Sequence, residues 1–465
     1  MSGEIPIRDF MSYDPGRYYW SASLMHLWAD NGIMALRASV AIFQGIGLFA
    51  GLLLVAVTVK KQRLIYLTLS ALTLVLWMYP RHKLYDISLS LLLISILTFL
   101  IYNPSCRRYF LTGLCVGLAA VFGCNHGIYG VVGSFGVMLW LQIKQQEGPD
   151  LIRSFGYWTA GVITGYLPVL LMIVFVPGFA SAFIDGLSFL LQRGSTNLPL
   201  PVPWPWLVDF HFLEPSIAIR RCLVGLFFIA TIVFGALSMV FVVVQKYREK
   251  FVSPALVAAS FLSLPYAHFV FSRADVSHLA QGIFPLLLGC LVIFATQSNK
   301  IKWPMALTLC FASLWVMDAG HPGWRHYKSN QYVEVTISNN NLQVRKSTAN
   351  TIEFLRTLVD RYAPDGKSFL VTPLWPGAYP LFEHKAPVWA SYALWNRGNE
   401  DELKEIDRIQ KANPSLVVII DSALDGRDEL RFSNNHPKIN KYIVDHFDQL
   451  PEVLAPGIRV FVSRR

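Results

Sequence analysis

The sequence predicts an α-helical polytopic membrane protein of about ten transmembrane helices, followed by a C-terminal soluble α/β domain. Three observations carry that expectation. Hydrophobic side chains make up 54% of the 465 residues and charged ones only 15%, well under the roughly 25% charged of a soluble domain. The charge is unevenly placed: residues 1–318 hold 21 Lys+Arg and 13 Asp+Glu, whereas residues 319–465 hold 19 and 17 in under half the length. Long apolar runs recur throughout the first part and stop near Asp318. A single soluble enzyme, a disordered chain and a lone membrane anchor are all excluded. The net charge is +10, and most of it falls in the membrane part, where inward-facing loops account for it without a nucleic acid partner.

Runs near the roughly 17–25 apolar residues that span a bilayer, with shorter ones allowed inside a bundle, fall at 38–59, 64–79, 86–102, 109–122, 126–143, 155–176, 219–245, 253–271, 282–298 and 303–318. The connections alternate in character. Lys60 to Arg63, Arg107-Arg108, Lys144 to Arg153, Lys246 to Lys250 and Lys300 to Lys302 are short and basic, hence cytoplasmic by the positive-inside rule. Residues 1–35, 80–85, 123–125, 177–218, 272–281 and the tail after 318 collect the His, Asp, Asn, Pro and Trp, and these face outward. Ten spans place both termini on that outer face. The expected parts are an outer loop with an interfacial helix over 1–35, a transmembrane domain over 36–318 and a soluble domain over 319–465.

Within the outer segments, residues 18–30 set Tyr19, Trp20, Ser23, Leu24, Leu27 and Trp28 on one helical face, the pattern of an amphipathic interfacial helix. Residues 178–192 repeat it. The stretch Leu198 to Trp206 alternates prolines with Trp204 and Trp206, which forbids helix and suits a stiff rim at the membrane boundary. In the tail, helical periodicity at 348–363, 401–412 and 436–447 alternates with strand-like runs at Phe369 to Val371, Leu416 to Ile420 and Ile458 to Val462. That alternation predicts a small, mainly parallel sheet. The tail has no glycine-rich phosphate loop or nucleophile elbow, so binding or lid duty is expected of it.

The six cysteines all lie in or beside apolar runs, which suggests neither a disulfide framework nor a zinc site. Asn103 and Asn413 are each followed by proline, blocking glycosylation, in keeping with a bacterial inner membrane. Acidic residues are nearly absent from the spans, so Asp9, Asp14, Asp86 and Asp275 stand out on the outer side, together with His82, Lys83, Asn125, His126, Arg273 and His278. Ionisable groups at a membrane boundary are functional candidates, with pairing between helix ends the plainer account. Arg81, Lys83 and Arg273 run against the positive-inside rule, either as scatter in a statistical rule or because an anion sits there.

Ile5-Pro-Ile-Arg8-Asp9-Phe10, followed by Asp14-Pro-Gly-Arg-Tyr18-Tyr19 and an aromatic helix, resembles the first outer loop of the C-type membrane glycosyltransferases (GT-C), the superfamily that includes protein mannosyltransferases and aminoarabinose transferases. Cys124-Asn125-His126-Gly127, the loop Ser272-Arg273-Ala-Asp275-Val-Ser-His278 and the turn Leu374-Trp-Pro-Gly-Ala-Tyr379 are similar to further family segments. The resemblance implies inverting transfer of a hexosyl or pentosyl group from a polyprenyl-phosphate donor to a hydroxyl of an envelope glycan, lipid or protein. Asp9 takes the place of the catalytic base, with Arg8, Asp14, Arg81, His82, Lys83, Asn125, His126, Arg273, Asp275 and His278 around donor and acceptor. Some members hold a divalent metal at the phosphate, and no ligand set for one is evident here. The family's first transmembrane helix normally precedes the Arg-Asp-Phe loop, so an apolar helix upstream of Met1 is expected. Rival readings are a transporter or flippase, and a non-catalytic protein that binds a lipid-linked sugar; both differ from a transferase in leaving the donor uncleaved.

Overall fold

The computed structural model describes residues 3–12, 14–59, 62–79, 83–144, 148–193, 198–319, 331–337, 340–451 and 455–464. The chain divides into two units, Met1–Tyr13, Ser181–Phe189 and Ser329–Arg465 forming unit 1, and Asp14–Ala180 with Leu190–Lys328 forming unit 2. This division puts the first thirteen residues and part of the second amphipathic segment with the α/β tail, a grouping that no local sequence pattern marks.

Unit 2 is built from helices. α1 (Gly16–Leu27) and α2 (Ile33–Thr58) are followed by α3 (Arg63–Leu76), α4 (Leu84–Tyr102), α5 (Cys106–Phe122), α6 (Cys124–Gln142) and α7 (Leu151–Phe175). α8 (Phe179–Arg193), most of which belongs to unit 1, comes before the proline stretch, and α9 (Pro215–Tyr247), α10 (Pro254–Ser272), α11 (Val276–Gly282), α12 (Phe284–Ala295) and α13 (Asn299–Asp318) complete unit 2. Each of the ten apolar runs became a helix. Among the described residues five helices are long and apolar enough to cross a bilayer, or six when the pair α11 and α12, bent by 56°, counts as one span. The run expected at 282–298 is α12, the second limb of that pair, and the break falls at Ile283, just before Pro285, the second residue of α12. α4 and α10 form the centre, with Ile87, Leu91, Leu97, Val257, Leu262 and Tyr266 fully enclosed.

α5 and α7 approach through backbone. A Cβ added at Gly113 would lie 2.0 Å from the Trp158 carbonyl oxygen, and one at Gly117 would lie 2.3 Å from that of Val162. The reciprocal positions Gly161 and Gly165 meet Phe110 O at 2.1 Å and Leu114 O at 2.2 Å. Each helix carries a Gly-x-x-x-Gly stripe, and small residues four apart let two membrane helices make van der Waals contact along their main chains.

The two sets of connections sort to opposite ends of unit 2. At one end Trp20 Nε1 donates to Ser39 O, Arg17 reaches Phe122 O and Asp86, and Arg273 donates to Leu198 O. At the other, Lys144 pairs with Glu249 and Trp303 Nε1 donates to Gln62 Oε1.

The face of α1 expected to be interfacial is divided in the fold, Trp20 and Leu24 being half-buried and the rest exposed. Ser21 and Met25 are buried, Ser21 bonding the Tyr85 hydroxyl at 2.7 Å, while Tyr19, Leu27 and Trp28 are exposed. The helix sends Ser21, Met25 and Trp20, whose ring meets that of Phe43 edge-on at 5.4 Å, into the unit and leaves Tyr19, Leu27 and Trp28 outside. Trp204 and Trp206 of the proline stretch stack at 5.2 Å.

Unit 1 is a three-layer α/β domain. Its sheet has the order β3 (Phe369–Thr372), β4 (Leu416–Ile420), β6 (Ile458–Ser463), β5 (Phe447–Leu450), beside a separate hairpin β1 (Tyr332–Ile337) and β2 (Asn340–Arg345). Period-two alternation divides the core. Phe369, Val371, Leu416 and Val418 face α14 (Lys346–Tyr362), whereas Leu370, Val417 and Ile419 face α16 (Asn399–Ala412) and α18 (Pro437–His446). The short helices α15 (Ala378–Leu381) and α17 (Phe432–Asn435) lie between them in sequence. The sheet is mixed where a mainly parallel one is expected: β3 and β4 are parallel, but β6 runs antiparallel to both β4 and β5. The cause is β5, a four-residue edge strand with exposed Asp448 and Gln449 that continues directly from α18. It returns to β6 over the short stretch 451–457, and so short a connection joins only antiparallel strands.

Candidate functional site

In unit 2 the segments before α1 and at the starts of α4 and α6 converge on a buried ionic network. Asp86, in the first turn of α4, accepts from Arg17 Nη2 at 2.7 Å and Nη1 at 3.0 Å, and from His126 Nε2 at 2.9 Å. Asp86 is 3% exposed and His126 1%. A carboxylate only accepts, so His126 Nε2 carries the proton and its Nδ1 accepts from the Tyr266 hydroxyl at 2.7 Å. Both ring nitrogens are therefore occupied. Gly123 makes room for this arrangement, since a Cβ there would stand 2.7 Å from the His126 ring and 3.2 Å from Arg17 Nη2. Tyr129 extends the network by bonding His268 Nδ1 at 3.1 Å.

Asp14 enters the same environment from the loop before α1. The Cys124 amide hydrogen-bonds it, yet burial, reinforced by the negative charge of Asp86, raises its carboxyl above the ordinary aspartate value despite Arg17 nearby. It remains partly exposed. Asn125, the second residue of α6, is exposed. Lys83, at the N-cap of α4, contributes positive charge toward Asp86.

A second cluster caps α11. Arg273 Nε donates to Asp275 Oδ2 at 2.8 Å, and Asp275 Oδ1 accepts from the His278 amide at 2.8 Å and lies 2.9 Å from His278 Nδ1. Burial opposes ionisation of Asp275, but His278 and Arg273 outweigh it and hold the carboxyl below its usual range. Phe269 joins the clusters: its ring stacks on His278 at 5.8 Å and lies 6.1 Å from that of His126. Asp14, Lys83, Asn125, His126, Arg273, Asp275 and His278 thus gather at one end of unit 2, whereas Arg81 and His82 fall outside the described residues.

Asp9 belongs to unit 1. Its carboxylate accepts from the Ile5 amide at 2.7 Å and from Arg8 Nε and Nη2 at 2.7 and 2.8 Å. The Arg8 guanidinium holds it below the ordinary aspartate value. The loop is fixed by Trp389, whose indole donates to Ile7 O at 2.8 Å and whose carbonyl accepts from the Met11 amide at 2.7 Å.

Arg17 and Tyr266 carry no sequence signal that marks them as partners of Asp86 and His126. Asp86 is visible as an acid at a helix start, but nothing local pairs it with an arginine sixty-nine positions earlier. Among the described residues no group of three or more His, Cys, Asp or Glu is arranged to hold a metal ion, and Asp86 and Asp275 are each committed to an arginine.

No family model matches the sequence, and no curated protein does. Solved structures that are similar include two of the Archaeoglobus fulgidus oligosaccharyltransferase. One is tethered by a disulfide bond to an acceptor peptide containing an NVT sequon, with 12% identity and a TM-score of 0.40 over 99% of this chain and 67% of that one. The other, AglB in complex with an inhibitory peptide and a dolichol-phosphate, has 12% identity and a TM-score of 0.43 over 99% and 68%. No residue of this chain takes a role from them.

Proposed function

We propose that this protein is a membrane glycosyltransferase of the C type, moving a sugar from a polyprenyl-phosphate donor to an acceptor hydroxyl on the outer face of a bacterial inner membrane. The observation that carries the reading is the convergence of outer-segment acids and bases at one end of unit 2, with Asp14 in the first loop raised in basicity beside Arg17. A base takes the acceptor proton as the acceptor oxygen attacks the anomeric carbon. The bond to the lipid phosphate breaks with inversion, and the phosphate leaves with its electron pair. General bases work best with a pKa near the working pH. That favours Asp14 over Asp9, whose Arg8 pair makes it the weaker acceptor. The leaving phosphate needs donors and positive charge; Arg273, Lys83 and His278, with Arg81 and His82, fill that role in the proposal. The Arg17–Asp86–His126–Tyr266 network positions α1, α4, α6 and α10 around the site.

Purified full-length protein incubated with a polyprenyl-phosphate sugar labelled in the sugar tests this directly. Release of polyprenyl phosphate coupled to labelled acceptor supports it. Movement of intact donor across liposomes without cleavage would establish a flippase, and saturable binding with neither outcome a non-catalytic binder.

A further inference from the structure

Unit 1 contains a pocket with a cavity volume of about 130 Å³. Three segments distant in sequence build it: the N-terminal loop through Arg8, α8 through Ala182 and Asp185, and the α/β domain through the stretch 388–397 and the start of α16. It opens beside the C-terminal end of β3, where Thr372 ends the strand that runs parallel to β4, the side on which parallel α/β sheets place ligands.

The lining dictates the ligand chemistry. Its cations already have partners within the unit: Arg8 binds Asp9, Arg397 and Lys404 bind Asp401, and Arg408 binds Glu405. A charged ligand would have to break one of these pairs, and a neutral one would not. Between the charged groups lie the indoles of Trp389 and Trp395; Trp389 is covered by the Arg397 guanidinium at 4.8 Å. His436 also lines the pocket and is 4% exposed. Its Nε2 contacts the Trp395 carbonyl at 3.2 Å, so that nitrogen carries the proton, and Nδ1 is an acceptor with no partner. Burial lowers the basicity of this imidazole and keeps it neutral at physiological pH.

We infer that this pocket binds a neutral sugar residue, its C–H face against Trp395 and its hydroxyls on the carboxylates, guanidinium groups and imidazole of the wall. A pyranose offers an apolar face and a rim of hydroxyls that donate and accept, which matches indoles set among paired charges. A wholly apolar ligand would leave the charged rim buried and unsolvated. Arg8 both lines the pocket and grips Asp9 within unit 1. The binding stands apart from the transferase reading; calling the bound sugar the acceptor rests on it.

The test is calorimetric titration of the full-length protein in nanodiscs with methyl α-mannopyranoside, methyl β-glucopyranoside and triacetylchitotriose, with a neutral hexapeptide and inorganic phosphate as controls. Saturable one-to-one binding of a glycan is expected, weakened tenfold or more by Trp395→Ala and by His436→Phe. Asp185→Asn and Lys404→Ala, on exposed rim residues, guard against misfolding of the first pair and should weaken binding by a smaller factor. The inference is overturned if no glycan binds, if the peptide or phosphate binds in its place, or if all four variants keep wild-type affinity. Glycan binding that persists in an Asp14→Asn protein unable to transfer sugar would uphold the pocket. Transfer that persists in a Trp395→Ala protein without glycan binding would remove the pocket and leave the transferase reading standing.

Discussion

Asp9 and Asp14 differ in what surrounds them, and the difference can be read in a pH profile. A general base works ionised, so the rate falls as pH drops through its pKa. With Asp14 as base the acid limb of kcat/KM should have its midpoint above the ordinary 3.8, because burial raises that carboxyl; with Asp9 it should lie below 3.8, because Arg8 lowers it. Asp14→Asn is expected to reduce transfer by about 10²-fold or more, with Asp9→Asn the milder change. Stability should move the other way. A raised carboxyl pKa means the ionised form is disfavoured in the fold, so stability is greatest below the unfolded value and declines as pH rises through the folded one. Asp14→Asn removes that cost, and its melting temperature at neutral pH should not fall below wild type. Asp86 is a contrasting case. Asp86→Ala strands Arg17 in a buried position, and breaking a buried pair from one side costs about 3–5 kcal/mol; a thermal melt within a degree of wild type would show that the network bears little of the fold.

At the scale of elements, the α5–α7 contact depends on glycine more than on hydrophobicity. Gly117→Leu would drive a side chain into the Val162 carbonyl, 2.3 Å from where its Cβ would lie, and the helices would have to separate. Loss of folded protein, read as aggregation on size-exclusion chromatography in detergent, is expected. Gly156 on the same α7 has nothing within 4 Å of an added Cβ, so Gly156→Ala should be neutral or stabilising by roughly 0.5–1 kcal/mol, the helix-propensity gain. In unit 1 the sensitive element is β4, all five of whose residues are buried. Both faces of that strand are covered by helices, the condition under which a strand reads as an unbroken apolar run.

For the whole molecule the testable quantity is orientation. Basic connections meet in pairs, Lys144 with Glu249 and Gln62 with Trp303, and the positive-inside rule predicts that they face the cytoplasm. Single cysteines placed at Glu4 and at Ser463, in a background without reactive native thiols, should both label from outside intact cells. Protection of either would overturn the proposed topology and remove the site from the outer face.

The helices of unit 2 and the strands β3, β4 and β6 were legible in sequence because each rests on a local pattern. A long apolar run in a membrane has to satisfy its own backbone within the segment, and a short, β-branched apolar stretch such as Leu416 to Ile420 reads as an interior strand. The gathering of His126, Arg273, Asp275 and His278 toward one end was legible for the same reason, since loop character alternates. What no local pattern carries is the choice among distant partners. Arg17 could have met any carboxylate at the outer end, and packing of α1 on α4 selected Asp86. Asp448 and Gln449 read as solvated helix or loop until β6 offered an edge to pair with. Asp9 and Asp14 are near neighbours in the chain, and their opposite shifts arise from Arg8 on one side and from burial beside Cys124 and Asp86 on the other. Residue type and period thus determined which segments become helix, strand or loop, whereas pKa and pairing depend on groups brought within a few ångströms by the tertiary fold, and only the structure decided those.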